Sequence, residues 1–174
     1  MRKRGLMNVL AIDPGSTDSA YVILGEDYKP IAHEKVPNET LLAHIQTDFI
    51  EHGITDLAVE MIASYGMPVG KEVFETCVWI GRFLQAADYI PVKRFIYRKD
   101  EKMNLCGSMK AKDGNIRQAL IDRFGIVGTK RAPGWWYGFS KDQWSAAAVG
   151  VTYLDMMCNE LKDGRNNAGK NQNL

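Results

Sequence analysis

The sequence has little cysteine and little histidine, which removes two common kinds of site. Its cysteines are odd in number, and no two of them form a C-x-x-C pair; they are Cys77, Cys106 and Cys158. This pattern argues against a disulfide framework and against a structural zinc site. The three histidines show no ligand spacing either. We therefore expect a protein of the reducing cytoplasm, with its histidines in structural or surface positions.

Long apolar runs are also missing. No stretch of about 18 apolar residues exists, so the sequence predicts no membrane span and no membrane partner. The basic and then apolar start is interrupted by Asn8 and Asp13 and lacks a small-residue cleavage site, which makes it a poor signal peptide. The 174 residues suffice for one domain with a real core, which we assign to residues 1–162. The polar segment 163–174 is predicted to be a disordered tail.

The net charge of +1 conceals an uneven distribution. Residues 93–141 contain 12 basic and 4 acidic side chains, whereas residues 1–92 contain 7 basic and 13 acidic ones. A basic block in an otherwise acidic chain is typical of a surface that contacts a polyanion. A solvated face made of a loop and a helix explains the block equally well, so charge alone leaves both interpretations open.

The order of hydrophobic patterns predicts a mixed α/β fold. Two apolar runs joined by Pro-Gly-Ser-Thr indicate a β-hairpin within residues 10–24, and helices and strands alternate after a third strand. The later predicted elements are a strand over 30–36, a helix from Asn38 to Gly53, a strand over 56–62, a helix over 71–87, a strand over 93–97, a helix over 112–125 and a long helix capped by Ser140. This order predicts a mixed five-stranded sheet, three antiparallel strands followed by parallel ones, with helices on both faces.

Acidic residues occur in two of the predicted apolar strands. Asp13 ends the run VLAID, and Glu60 lies in LAVEMI. A carboxylate in an apolar strand is costly to bury unless it is paired or bound to a metal. If the two strands are parallel neighbours, the two acids meet, and Asp142 in the first turn of the last helix can join them. Carboxylates suit Mg²⁺ or Mn²⁺, and two such ions about 4 Å apart can catalyse phosphodiester cleavage.

Each of these acids also has a simpler explanation. Asp13 precedes Pro14 and fits an Asx-turn, while Glu60 fits a salt-bridged strand end. Asp142 fits a carboxylate that stabilises a helix N-terminus. For any one residue alone the simpler explanation is the better one, but the three together in this order of elements favour a shared metal site.

Four segments resemble the RuvC-type Holliday-junction resolvases. AIDPGSTDSAYVIL is similar to the family's first-strand motif, and LAVEMIASYGMPVGKEVFETCVWIGRF is similar to its second acidic strand, loop and dimer-forming helix. GSMKAKDGNIRQALIDRFG resembles the basic stretch and the helix that follows it, and KDQWSAAAVGV resembles the start of the last helix. The resemblance extends over residues 7–160 and is strongest to the short phage-encoded branch. It implies an RNase H-like fold and a homodimeric endonuclease that resolves Holliday junctions and other branched DNA by paired nicks.

The resemblance also implies which residues form the active site. Asp13 and Glu60 match the family's metal ligands, and Asp142 matches the first acid of a pair on the last helix. These three would be catalytic and would hold Mg²⁺ or Mn²⁺, with two ions per site. Ser145 stands where the second acid of the pair is expected, and a hydroxyl neutralises no metal charge. Asp113 is a weak candidate for an auxiliary acid that compensates for it.

DNA contacts follow from the same resemblance. Lys110 and Lys112 match basic residues near the scissile phosphate, and Arg117 can join them in holding the backbone without reading bases. Tyr65 follows the second acidic strand and can stack on a base at the crossover, although loop aromatics more often pack locally. The helix over 71–87 is the candidate dimer face.

Two other interpretations compete with a resolvase. The missing acid at position 145 permits a catalytically weakened protein that binds branched DNA without cutting it. The Asp-x-Gly-Ser/Thr hairpin also resembles the phosphate-binding hairpin of actin-like sugar kinases and ATPases. Those proteins need a second lobe, for which 174 residues leave no room, so no nucleotide cofactor is expected.

Overall fold

A computed structural model of the chain describes residues 7–64 and 66–170, with side chains up to residue 163. The strands are β1 (Asn8–Asp13), β2 (Asp18–Gly25), β3 (Pro30–Pro37), β4 (Ile54–Met61) and β5 (Val92–Tyr97). The helices are α1 (Asn38–Gln46), α2 (Lys71–Ala86), α3 (Arg98–Cys106), α4 (Asp113–Phe124) and α5 (Lys141–Lys170), with a 3₁₀ helix over Asp48–His52 between α1 and β4.

The five strands form one mixed sheet in the order β3-β2-β1-β4-β5. β1, β2 and β3 are antiparallel, whereas β4 is parallel to β1 and β5 is parallel to β4. The predicted sheet is therefore confirmed, including the parallel pairing of the two strands that carry acids. The register pairs Ile12 with Val59, which brings the next residues, Asp13 and Glu60, to adjacent strand ends.

Successive residues of each strand face opposite sides of the sheet, so the sheet separates two cores. One core lies under α1, the 3₁₀ helix and α2, and contains Leu10, Ile12, Leu57 and Val59. The other lies under α4 and α5 and contains Val9, Ala11 and Ala58. Asp13 and Glu60 continue the second set of positions, since each follows an inward-facing alanine by two residues. Both acids therefore face the side on which α4 and α5 pack.

The helix α3 was not predicted from the sequence. Its residues, RKDEKMNLC, are polar and carry no apolar stripe of helical spacing, which is the signal that predicts an amphipathic helix. Packing against α4 and α5 explains why α3 forms directly after β5 despite its polar sequence. Its buried residue is a glutamate, Glu101.

The last helix is longer than predicted. Residues 163–170, predicted to belong to a disordered tail, continue α5, and residues 171–174 lie outside the described residues. A helix already nucleated by a packed segment extends at little cost through a stretch without proline. Within the described part of the chain, no helix has the length and apolar character required to cross a bilayer.

A run of small residues brings α5 close to the sheet. Ala146, Ala147 and Ala148 are fully buried, and Gly150 follows them. A Cβ added to Gly150 would lie 2.7 Å from Cδ1 of Leu24 and 3.0 Å from Cβ of Ala11, which is closer than side chains pack. The absence of a side chain at this position therefore sets the distance between α5 and the sheet.

Replacing Gly150 by valine should push α5 away from the sheet and lower the free energy of unfolding by about 1–3 kcal/mol, as overpacked cores do. Urea denaturation followed by circular dichroism measures the change. Gly114→Val is the matched control, because a Cβ at this helical glycine meets no atom within 4 Å. Equal stability of the two variants would contradict the close-packing explanation.

Candidate active site

Two carboxyl groups meet at the ends of β1 and β4. Asp13 and Glu60 are partly buried, and their carboxyl groups interact with each other. Burial raises the pKa of Asp13 from 3.8 to about 8, and the charge of Glu60 adds to the increase. Asp142 raises it further, whereas Arg98 acts in the opposite direction. The pair thus concentrates negative charge where little water can compensate for it.

The turn after Asp13 is held by a buried asparagine. The Asn38 amide donates to the carbonyl oxygen of Gly15 at 2.9 Å and accepts from the Ser19 hydroxyl at 2.6 Å. The Gly15 amide in turn donates to Oγ of Ser19 at 3.1 Å. Asn38 is the first residue of α1, Pro37 occupies the N-cap position of that helix, and the Asn38 side chain joins the helix to the turn.

A lysine on the same row of the sheet reaches the third acid. Asp13 pairs with Ala20 across β1 and β2, and Ala20 pairs with Lys35 across β2 and β3. The ammonium group of Lys35 lies 2.6 Å from a carboxylate oxygen of Asp142, and this contact raises the pKa of the lysine. Asp13, Asp142 and Lys35 line a common cleft of about 220 Å³. The structure therefore places Asp142 across this cleft from Asp13, held by its ion pair with Lys35, while Glu60 interacts with Asp13 from β4.

Glu101 and Arg98 extend this group of charges, and sequence reasoning missed both. Arg98 is paired with Glu101 and with Asp113. Burial raises the pKa of Glu101 to about 9, and the charges of Glu60 and Asp13 contribute to the increase. The available signal was the position of Glu101 one turn after β5, at the edge of the sheet where Glu60 ends its strand. Because α3 was not predicted, the sequence did not show that Glu101 lies on a helix beside Glu60.

Asp13, Glu60, Asp142 and Glu101 are called the acidic group below. The proposed auxiliary residues lie outside it. Ser145 lines a separate cleft of about 370 Å³ beside it, together with Arg98, Arg117 and Lys141. Asp113 lines the same cleft and is exposed, with its carboxylate held by Arg98. Neither residue therefore joins Asp13 and Glu60 in the structure.

Of the predicted DNA-contacting residues, Arg117 lines the second cleft. Arg117 is exposed and lies over the ring of Trp144, 4.9 Å from its centroid. Lys110 and Lys112 are exposed in the segment immediately before α4. Tyr65 falls outside the described residues. The basic block predicted from the sequence therefore contributes cations to a cleft that adjoins the acidic group.

The acidic side chains fit a divalent cation by their chemistry. All the donors are carboxylate oxygens, which Mg²⁺ and Mn²⁺ prefer, and the raised pKa of Asp13 marks a place where positive charge is needed. Across residues 7–64 and 66–170, no three acidic, histidine or cysteine side chains are grouped tightly enough to hold an ion together. To bind a cation, Asp142 would have to give up its ion pair with Lys35.

A mixed five-stranded sheet of this order, flanked by helices, is the arrangement of the RNase H-like fold. Thermus thermophilus RuvC superposes on it with a TM-score of 0.67 and 17% identity, over 88% of this chain and 97% of that one. T. thermophilus RuvC in complex with a Holliday junction substrate superposes with a TM-score of 0.62 and 18% identity, over 84% of this chain and 91% of that one. At the level of sequence, no protein-family model and no curated protein matches the chain. The similarity thus confirms the RNase H-like fold.

The raised pKa of Asp13 predicts how stability depends on pH. The folded protein keeps a proton that the unfolded chain releases near pH 4, so in the presence of a chelator the Tm should fall as pH rises from about 4 to 8. Glu101 contributes in the same direction. Asp13→Asn removes one of the two titrations, so the variant should show a flatter profile and melt a few degrees above the wild type at pH 8, since about 1 kcal/mol corresponds to roughly 2–4 °C.

Differential scanning fluorimetry across this pH range provides the measurement. Asp122→Asn serves as the control, because Asp122 is an exposed carboxylate on α4. An Asp13→Asn profile parallel to that of the wild type between pH 5 and 8 would contradict the raised pKa of Asp13.

Proposed function

We propose that the protein is a metal-dependent endonuclease that resolves Holliday junctions and other branched DNA by paired nicks. The observation that carries the proposal is the meeting of Asp13 and Glu60 at adjacent strand ends, with Asp142 across a narrow cleft. The fold similarity to a RuvC bound to a Holliday junction substrate supports the choice of DNA as the polyanion.

In this proposal each acid has a defined task. Asp13, Glu60 and Asp142 hold Mg²⁺ or Mn²⁺, two ions per site. When bound, divalent cations activate the attacking water and stabilise the leaving oxygen of the phosphodiester. Asn38 keeps the turn after Asp13 in place, so that the carboxylate stays aligned with Glu60. Asp13 must give up its proton for the site to bind a cation, and metal affinity therefore increases with pH.

The basic cleft beside the acids is the proposed path of the DNA backbone. Arg98, Arg117 and Lys141 line it, and Lys110 and Lys112 lie just before α4. Such cations neutralise phosphates and fix the position of a strand without selecting a sequence. The stacking of Arg117 on Trp144 orients its guanidinium, which lowers the entropy lost on phosphate binding.

The base-stacking role of Tyr65 remains a proposal that rests on its position after β4. We also propose that the protein works in the cytoplasm and belongs to the short phage-encoded branch of resolvases, on the strength of the four motifs and their order.

Paired nicks on opposing strands require two active sites, and α2 supplies a surface for a second copy. Phe74 and Val78 are 62% and 63% exposed, and Met67 is 69% exposed in the loop before the helix. Apolar side chains grouped in this way on a helix face are typical of interfaces. Trp79, by contrast, packs against Phe83 within the protomer. We therefore propose a homodimer formed through the exposed face of α2.

Asp13→Asn should retain junction binding within about twofold, because phosphate contacts carry the affinity, and should cut at least about 100-fold more slowly. The measurement uses a labelled four-way junction with Mg²⁺, with Mn²⁺ and with chelator, beside a linear duplex. Asp48→Asn, an exposed carboxylate in the 3₁₀ helix on the other side of the sheet, should cut at the wild-type rate.

Metal-dependent cutting by Asp13→Asn at the wild-type rate would exclude the assigned site. Junction binding by the wild type without cleavage under either metal would favour the binding-only protein that Ser145 permits.

Phe74→Glu should convert the dimer to a monomer, because a charge at the centre of an apolar interface is left without a partner. Size-exclusion chromatography with light scattering measures the mass. Ile126→Glu is the matched control, since Ile126 is 77% exposed in the loop after α4 and away from α2. A wild-type protein with the mass of one chain at all concentrations would rule out the interface.

A further inference from the structure

Glu101 is an unusual buried carboxylate. It is 0% exposed, and its Oε2 accepts a hydrogen bond from Arg98, but its Oε1 has no hydrogen-bond partner among the described atoms. A buried polar atom without a partner costs on the order of 1–3 kcal/mol, and more when it is charged. Native structures keep such an atom where it serves a purpose, and binding a ligand is one such purpose.

Glu101 lies next to the other acids, so any ligand that its unpaired oxygen binds would also be near them. Glu60 on β4 pairs with Ile96 on β5, and α3 begins immediately after β5, which places Glu101 one turn beyond the strand end next to Glu60. The negative charges of Glu60 and Asp13 both act on the buried Glu101 carboxylate, so both acids lie near it. Arg98 is the cation that balances Glu101 there.

We propose that Glu101 is a fourth carboxylate of the metal site. Its unpaired oxygen binds a divalent cation once the side chains of Glu60 and Asp13, which are not grouped tightly enough with it in this structure, move toward the ion. This inference rests on the proposed function, because it adds a ligand to the same site. It supplies the acidic charge that position 145 lacks, and it does so from α3 on the other side of the group. Ser145 is then free to line the DNA cleft, where it lies in the structure.

A purely structural explanation gives Glu101 the task of orienting Arg98. Asp113 offers a matched comparison, because it also binds Arg98 but is exposed, with 66% of its side chain accessible. If Glu101 acts only through Arg98, removing the charge of either acid should have similar consequences for metal binding. If Glu101 is a ligand, only its own substitution should affect the metal.

Calorimetric titration of the full chain with Mn²⁺ alone, without DNA, tests the proposal. Wild type should bind Mn²⁺, and Asp13→Asn should bind it at least about tenfold more weakly. Glu101→Gln should lose about tenfold in affinity or one ion in stoichiometry, whereas Asp113→Asn should stay within about twofold of wild type. Circular dichroism establishes that each variant is folded.

The outcomes separate the two proposals. Wild-type Mn²⁺ binding by Glu101→Gln, together with its loss in Asp13→Asn, would overturn the role of Glu101 and leave the nuclease proposal intact. Absence of Mn²⁺ binding by the wild type would overturn both. If Glu101→Gln does not fold, an anomalous difference map of wild-type crystals soaked in Mn²⁺ decides. An ion about 2–2.5 Å from a Glu101 oxygen supports the proposal, and an ion bound by other acids while Glu101 contacts only Arg98 overturns it.

Discussion

The repulsion between the carboxyl groups of Asp13 and Glu60 is the constraint around which this end of the sheet is built. Two acids at adjacent ends of parallel strands cannot both be charged in a partly buried place without a counter-charge. Burial and the charge of Glu60 raise the pKa of Asp13 to about 8, so that protonation of Asp13 can take the place of a counter-charge. The fold keeps this unfavourable pair together because the strands that carry it are central, each with a core on either side.

Two neighbouring cations, Lys35 and Arg98, supply positive charge to the acids. Lys35 lies on the same row of the sheet as Asp13 and neutralises Asp142, while Arg98 neutralises Glu101 from the other flank. These cations come from opposite edges of the sheet, so the acidic group lies between them. The arrangement concentrates carboxylate oxygens while keeping the net charge of the region moderate, which limits its cost to stability.

The sequence allowed the sheet and the two acids at its strand ends, Asp13 and Glu60, to be predicted, for reasons that the structure makes clear. An acid that interrupts an apolar strand is visible in a single segment, and parallel pairing follows from the order of elements. Glu101 was missed because it is buried on a helix that has no apolar stripe, so neither the helix nor its inward face could be recognised. Lys35 was missed because its ion pair with Asp142 joins residues far apart in the chain. Such pairings depend on the three-dimensional arrangement of β3 and α5 and have no local signature.

The side chain of Asn38 links two parts of the protein that would otherwise move independently. It belongs to the first turn of α1, yet its amide holds the loop that follows Asp13. Local opening of α1 therefore breaks the hydrogen bonds of that loop in the same event, and the two segments form one cooperative unit of native-state fluctuation. Amide hydrogens in the loop and in the first turn of α1 should then exchange with solvent at a common rate, which ties the order of the acidic group to the stability of a helix on the opposite face of the sheet.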